Sequence, residues 1–259
     1  MRELELDPSW PDEIKNIHAE HRLFADPRIR PNTYSWYWQR TNDILALVER
    51  ELPKGSSVLD IGCAQGTIAI CLAEHGYRVT GNDIRSEYLS YARMRDNRDS
   101  VCFVVANFEE YRTSEPFDAI VFTEVIEHVV DHQPFLKNIW ACLKPGGLII
   151  VTTPNHDYFR ETLPSYSEVN LLENKHREFT AHGSDHFYLF RKEELNNLIS
   201  SCGFEIIEHR YFLPFLQFGV FKLHLLWFVF PMRFMEWLSR RFDGSRLLCA
   251  QQIILARKI

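Results

Sequence analysis

Glu124-Val-Ile-Glu127-His128 puts two carboxylates and an imidazole within five residues. With a second imidazole, such a group can hold a hard divalent cation, Mg2+ or another of its class. Six of the 11 histidines fall between positions 128 and 186, and three of them (His176, His182 and His186) could supply that second ring. His186 is the best placed, because Asp185-His186-Phe-Tyr-Leu-Phe runs straight into a helical pattern. The candidate metal ligands are therefore Glu124, Glu127, His128 and His186. The same residues also have a metal-free reading. Glu124 would then face a cofactor, Glu127 would shape the pocket, and His128 would act alone as a general base. Either way Glu127 and His128 are the candidate catalytic residues.

A second constellation lies upstream. Val58-Leu59 is a short apolar run that ends on Asp60, and Gly62 and Gly66 follow four apart. A strand that ends in a glycine-bearing turn and feeds a helix makes a nucleotide cradle, because the backbone can come close to the ligand and the helix start offers free N–H groups. The turn residues are Gly62, Cys63, Ala64 and Gly66. An acid at the strand end repels a pyrophosphate and suits a cationic amino-acid group, and Ala64 stands where a dinucleotide motif has its middle glycine. Asp83 closes the next strand, where a carboxylate can accept both hydroxyls of a ribose. Ile84 beside it can pack on adenine. Asn107-Phe108, at the end of a third strand, offers an amide and a ring to the same base.

These positions need a particular scaffold. Apolar strands at 56–62, 77–83, 101–108, 117–124 and 148–153 alternate with helices at 67–75, 86–95 and 131–143, and Lys144-Pro-Gly-Gly147 stops the last helix. That alternation means a parallel sheet covered on both faces, with ligands at the carboxyl ends of the strands. Upstream, loose helical spacing over 14–24 and a helix over 41–52 make residues 1–53 a helical cover. Between them Tyr34-Ser-Trp-Tyr-Trp38 reads as a hydrophobic plug or a lid. Downstream, a helix at 193–202 and strands at 204–212 and 248–256 complete the domain, 54–259.

Taken together, Val58–Ala69, Gly81-Asn-Asp83, Val105-Ala-Asn-Phe108, Phe117–Glu124 and Leu143–Gly147 resemble the motifs of class I S-adenosylmethionine (SAM)-dependent methyltransferases. The resemblance covers residues 55–154. It implies a doubly wound, mostly parallel, Rossmann-like α/β sheet of seven strands with one strand antiparallel. It also implies bound SAM against Asp60, Gly62, Cys63, Ala64, Gly66, Asp83, Ile84, Asn107, Phe108 and Glu124. Asn107 departs from the aspartate usual at its position. Glu-x-x-Glu-His with a later histidine is similar to two subfamilies, the ubiquinone-biosynthesis O-methyltransferases and the small-RNA 3′-terminal 2′-O-methyltransferases. Thr153-Pro-Asn155 and Asp185-His186 add to the second likeness. In both, a divalent metal orients the acceptor hydroxyl.

Residues 155–190 have weak periodicity and read as an acceptor-facing insert. Residues 213–247 form an apolar insert before the last strand, interrupted by Pro214, Gln217, Lys222, His224 and Pro231, so it is no clean membrane span. It reads as a helical hairpin over the site, a membrane-surface anchor or a homodimer interface. The formal net charge of -6 argues against broad nucleic-acid binding. Six scattered cysteines with no Cys-x-x-Cys, and no apolar signal core, point to a reducing, cytoplasmic setting that includes the membrane surface. The expected activity is O-methylation of a small-molecule or lipid-linked acceptor. The alternatives are an RNA 3′ end as acceptor, or a catalytically silent scaffold that binds cofactor.

Overall fold

The computed structural model describes residues 3–169, 186, 188–214, 216, 223 and 225–259. Seven strands form one sheet: β1 Ser57–Ile61, β2 Arg78–Asp83, β3 Val101–Val105, β4 Phe117–Thr123, β5 Leu143–Pro154, β6 Phe204–Pro214 and β7 Cys249–Lys258. Their order is β3-β2-β1-β4-β5-β7-β6. All neighbours are parallel except β7, which runs antiparallel to both β5 and β6. The strand order reverses between β1 and β4, and the crevice beyond their carboxyl ends is where such sheets take ligands.

The alternation of strand side chains explains why the sheet is buried on both faces. In β1, Val58 joins one core and Leu59 the other; in β4, Val121 joins the first, and Ile120 and Phe122 join the second. Helices α2 Pro31–Glu51 and α3 Thr67–Glu74 cover the first face through Ile44, Leu47, Val48 and Ile70. Helices α5 His132–Cys142 and α6 Lys192–Ser201 cover the second through Phe135, Leu136, Ile139, Leu195 and Ile199. Helix α1 Asp12–Ala25 sets Ile14 and Ile17 against Tyr91 of α4 Ser86–Arg95. Two short helices, α7 Leu226–Val229 and α8 Met232–Arg240, precede β7.

Three elements differ from the sequence expectation. Strand β5 begins at Leu143, not Leu148, because Leu143 already pairs with Phe117 of β4 before a register shift, so the helix-stopping Lys144–Gly147 run lies inside the strand. Helix α2 begins at Pro31, not at Thr41, and takes in all of Tyr34–Trp38. Proline at the first helical position suits a helix start, and the non-periodic aromatics hide the pattern. Inside the helix these rings find partners: Trp36 and Tyr37 lie against Phe24, and Tyr34 meets Trp38 one turn on. Strand β3 stops at Val105, because Asn107 turns the chain. Its side-chain oxygen accepts the Glu109 N–H at 3.1 Å and starts one turn of tight helix over Phe108–Glu110.

Candidate active site

The turn after β1 is held from the next strand. Asp83 accepts the Ala64 N–H at 2.9 Å and the Arg85 N–H at 2.9 Å. The Cys63 N–H donates to the Asn82 carbonyl at 3.0 Å. Asn82 itself is buried and donates its amide to the Val104 and Ala106 carbonyls, tying β2 to the end of β3. Gly62 has φ +67°, and a Cβ there would lie 2.7 Å from Val125 Cγ2. Only glycine lets the turn pass so close to the loop after β4. Gly62→Ala is expected to cost about 1–2 kcal/mol from the left-handed backbone alone, with a melting temperature lower by several degrees; an unchanged melt would contradict this packing.

Asp60 sits under that turn, buried; the Ala69 backbone N–H in the first turn of α3 faces its carboxylate without closing a hydrogen bond of full geometry, and no cation pairs with it among the described residues. Burial pushes its carboxyl up to about 8; the Ala69 N–H opposes this, the nearby Asp83 adds to it, and Arg40 opposes it. A buried carboxylate with no cation beside it is costly to ionise, and a cationic group bound above the turn would relieve that cost. Gly66 begins α3, whose first residue Thr67 accepts from the Tyr37 hydroxyl and from Arg95. Burial, with Asp60 and Asp83 behind it, pushes the Cys63 thiol well above its ordinary range, so it is an inert wall.

Beyond Asp83, Ile84 is 62% exposed and Val105 is 47% exposed, two apolar side chains at neighbouring strand ends. They can flank a flat ring. Phe108 is placed elsewhere: it lies in the core against Phe135 and Tyr111, because the tight turn begun by Asn107 swings it inward. Asn107 remains exposed, with its amide oxygen used as the cap.

Glu124 adopts φ 54° directly after β4. Its Oε1 accepts from Thr152 at 3.0 Å, its Oε2 accepts from Gln251 at 2.9 Å, and Arg40 Nη1 is 3.8 Å away. Three residues on, Glu127 is fully buried. Its Oε2 accepts from Thr153 at 2.9 Å, and its Oε1 has no hydrogen-bond partner and lies 3.8 Å from His186 Nε2. Burial, reinforced by the Glu124 charge, holds the Glu127 carboxyl far above the usual carboxylate range. Burial likewise pushes His128 down to about 4, helped by His186 and Arg85. The rings of His128 and His186 are 5.0 Å apart.

One ligand atom from each of Glu127, His128 and His186 falls within 4.8 Å of the others. Three of the four expected metal ligands thus converge. Glu124 does not join them, since Thr152, Gln251 and Arg40 engage its carboxylate. His176 and His182 lie outside the described residues, as do residues 170–185 of the expected acceptor-facing insert. The start of that insert is pinned by Asn155, whose amide donates to the Arg246 and Cys249 carbonyls at 2.7 Å.

The site also holds residues that motif reading did not single out. Arg40 is buried in α2, lies 4.7 Å over the Trp36 ring and reaches Glu124, with no hydrogen-bond partner for its Nε. Its signal was the spacing Trp36–Arg40, one helical turn. Thr152 and Gln251 were visible as polar residues inside apolar strands, where a buried polar group needs a partner; Thr153, already marked by Thr153-Pro-Asn155, proves to be the partner of Glu127.

Residues 36–209 match the family described as "Methyltransferase domain". Curated relatives named ubiquinone biosynthesis O-methyltransferase align over part of the chain. The one from Coxiella burnetii is 32% identical over 118 residues, 44% of this chain and 50% of that protein. The human mitochondrial one is 37% identical over 108 residues, 39% of this chain and 29% of that protein. The chain therefore spans half or less of the length of these relatives. Among solved structures, Haemonchus contortus phosphoethanolamine N-methyltransferase 2 in complex with SAM superposes with a TM-score of 0.62 at 22% identity, covering 95% of this chain and 57% of that one. A seven-stranded sheet with its switch point between β1 and β4, an acid-glycine turn at that point and a matching family over most of its length lead to one conclusion: the chain belongs to the methyltransferase domain family, on a class I, Rossmann-like fold.

Proposed function

We propose that the protein is a SAM-dependent methyltransferase acting on a hydroxyl of a small-molecule or lipid-linked acceptor, with a divalent cation at Glu127, His128 and His186. The observation that carries the cofactor reading is the buried carboxylate of Asp60 beneath the Gly62 turn, which has no ion-pair partner among the described residues. It suits the cofactor's ammonium group. Arg40, facing the same space from α2, suits the carboxylate of that amino-acid end. Asp83 has lone pairs left for ribose hydroxyls. Ile84 and Val105 offer the adenine two apolar walls. Residues 1–53 serve as a helical cover and 54–259 as the catalytic domain, in a cytoplasmic setting. The name shared by the curated relatives supports oxygen as the methyl acceptor.

SAM supplies an electrophilic methyl group on a positively charged sulfur. The acceptor oxygen bonds to the methyl carbon as the carbon–sulfur bond breaks, and the electron pair stays on sulfur. The protein's share is to hold the acceptor in line, to exclude water and to take the hydroxyl proton. The fully buried Oε1 of Glu127, without a hydrogen-bond partner and facing two imidazoles, fits a cation. A bound cation would supply Lewis-acid help by making the acceptor hydroxyl more acidic. One carboxylate and two imidazoles suit Mn2+ or Zn2+ better than Mg2+, which prefers all-oxygen surroundings.

Two measurements test the reading. Isothermal titration should give saturable SAM binding, weakened about tenfold or more by Arg40→Met, which removes a charge-assisted contact. Methyl transfer from labelled SAM should occur to a phenolic or lipid-linked hydroxyl in an acceptor panel. SAM binding without transfer to any acceptor would favour the silent scaffold, and absence of SAM binding would end the proposal.

A further inference from the structure

We infer that the ridge formed by α7 and α8 is a docking surface for an anionic lipid bilayer. Among the described residues, Leu225, Phe228, Val229, Phe230, Phe234 and Trp237 are all exposed, with Val229 at 73% and Phe228 at 59%. They crowd into 13 residues, 225–237, which makes them a patch rather than scattered surface side chains. The patch is built in register. Phe230, Phe234 and Trp237 follow at helical spacing with ring centroids 5.7 and 6.0 Å apart, and Arg241 lies 4.8 Å over Trp237. The opposite side of the same helix is buried, through Met235 and Ser239.

The ridge is also fixed to the body of the protein. Trp227 is buried and donates its indole N–H to the Leu216 carbonyl at 2.9 Å. Arg240 pairs with Asp43 of α2 at 3.6 Å, and Gln39 of α2 donates to Asp243 at 3.2 Å. No loss of order is needed to expose the aromatic face, so its contact with a partner is not opposed by a folding cost.

Charge identifies the partner. The chain as a whole carries a formal charge of -6, yet residues 225–247 hold four arginines against two acids. Arg240 and Arg246 are engaged by Asp43 and Asp157. Arg233 and Arg241 stay exposed beside the aromatic ridge. Aromatic rings flanked by arginine match a membrane interface, where the rings enter the headgroup boundary and the cations meet lipid phosphates. A second copy fits poorly, because in a twofold contact the same patch meets itself and would bring these arginines together. No helix of the described residues is long and apolar enough to cross a membrane, and α8 has 9 residues, so the ridge lies on the surface. It is joined to α2, the helix that carries Arg40 into the site, which places the lipid contact beside the cover of the reaction crevice.

The test is co-sedimentation of the full chain with phosphatidylcholine vesicles and with phosphatidylcholine–phosphatidylglycerol vesicles. Binding is read without turnover, so its failure is separate from any failure of the methyl-transfer reading. The chain should pellet with the mixed vesicles, less so as salt is raised. Phe234→Ser with Trp237→Ser should weaken partitioning at least about tenfold. Arg233→Glu with Arg241→Glu, at exposed positions that leave the core untouched, should remove the preference for anionic lipid. A chain that stays in the supernatant with both vesicles would overturn the inference. So would a dimer in light scattering that the aromatic double substitution dissociates, with no vesicle binding.

Discussion

Asp60→Asn should make the protein harder to melt at pH 8 and SAM harder to bind. The two effects have opposite signs because one buried charge causes both. In the folded chain the Asp60 carboxyl titrates at about 8, against 3.8 for an unperturbed aspartate. Between those values the folded state holds a proton that the unfolded state has released. The stability this carboxyl contributes is therefore fully present below about pH 4. It falls by ~1.4 kcal/mol for each pH unit above that and is lost once the pH passes about 8. Over those four or so pH units the total is about 6 kcal/mol, a large share of the stability of a domain. Asparagine removes the titration, so the slope disappears and the largest gain appears at the alkaline end. SAM binding should fall about 100-fold or more, since the variant no longer opposes the cofactor's ammonium with a charge in a desolvated place. Melting curves between about pH 5 and pH 9 and titration calorimetry separate these effects. A variant that melts lower at every pH would mean Asp60 is a structural residue, and unchanged SAM affinity would remove it from the site.

How much of this site was legible follows from how local each signal is. Asp60, Gly62, Gly66 and Asp83 are set by a strand end and a tight turn, and both leave marks within a few residues of sequence. The sheet was legible for the same reason: continuous apolar runs alternate with helical patterns, and turn residues divide them. Arg40 was not, because its role depends on α2 crossing the strand ends, a contact between residues 84 positions apart in the Arg40–Glu124 pair. Phe108 misled in the reverse direction. A ring at a strand end reads as a ligand wall, but one capping interaction by Asn107 turned it into the core. Glu124 was legible as a site residue and not as to partner. Its left-handed backbone aims the carboxylate at Thr152 and Gln251, and only the pairing of β5 with β7 brings those two together.

The separation of Glu124 from Glu127 decides what a cation bound at Glu127, His128 and His186 would meet. Were both carboxylates in it, two carboxylates and two imidazoles would face a cation, a harder and more negative set. With Glu124 held by three other groups, the cluster is one buried carboxylate and two imidazoles, so the proposed cation would depend on each. His186→Ala is expected to lower Mn2+ affinity about 100-fold, a typical loss for a metal ligand or its close support. Turnover should fall with it, while SAM affinity stays within about twofold, since His186 touches none of the residues assigned to the cofactor. Glu127→Gln should give the same loss of cation and turnover. Its melt should not drop, because a buried carboxyl with one unpartnered oxygen is replaced by a neutral group of the same shape. Exhaustive chelation of the unaltered protein should reproduce the defect, and added Mn2+ should reverse it. The opposing pattern is equally definite. If chelation and His186→Ala leave turnover intact while His128→Ala abolishes it, the proton goes to His128 unaided and the convergence of these three residues serves only to shape the pocket.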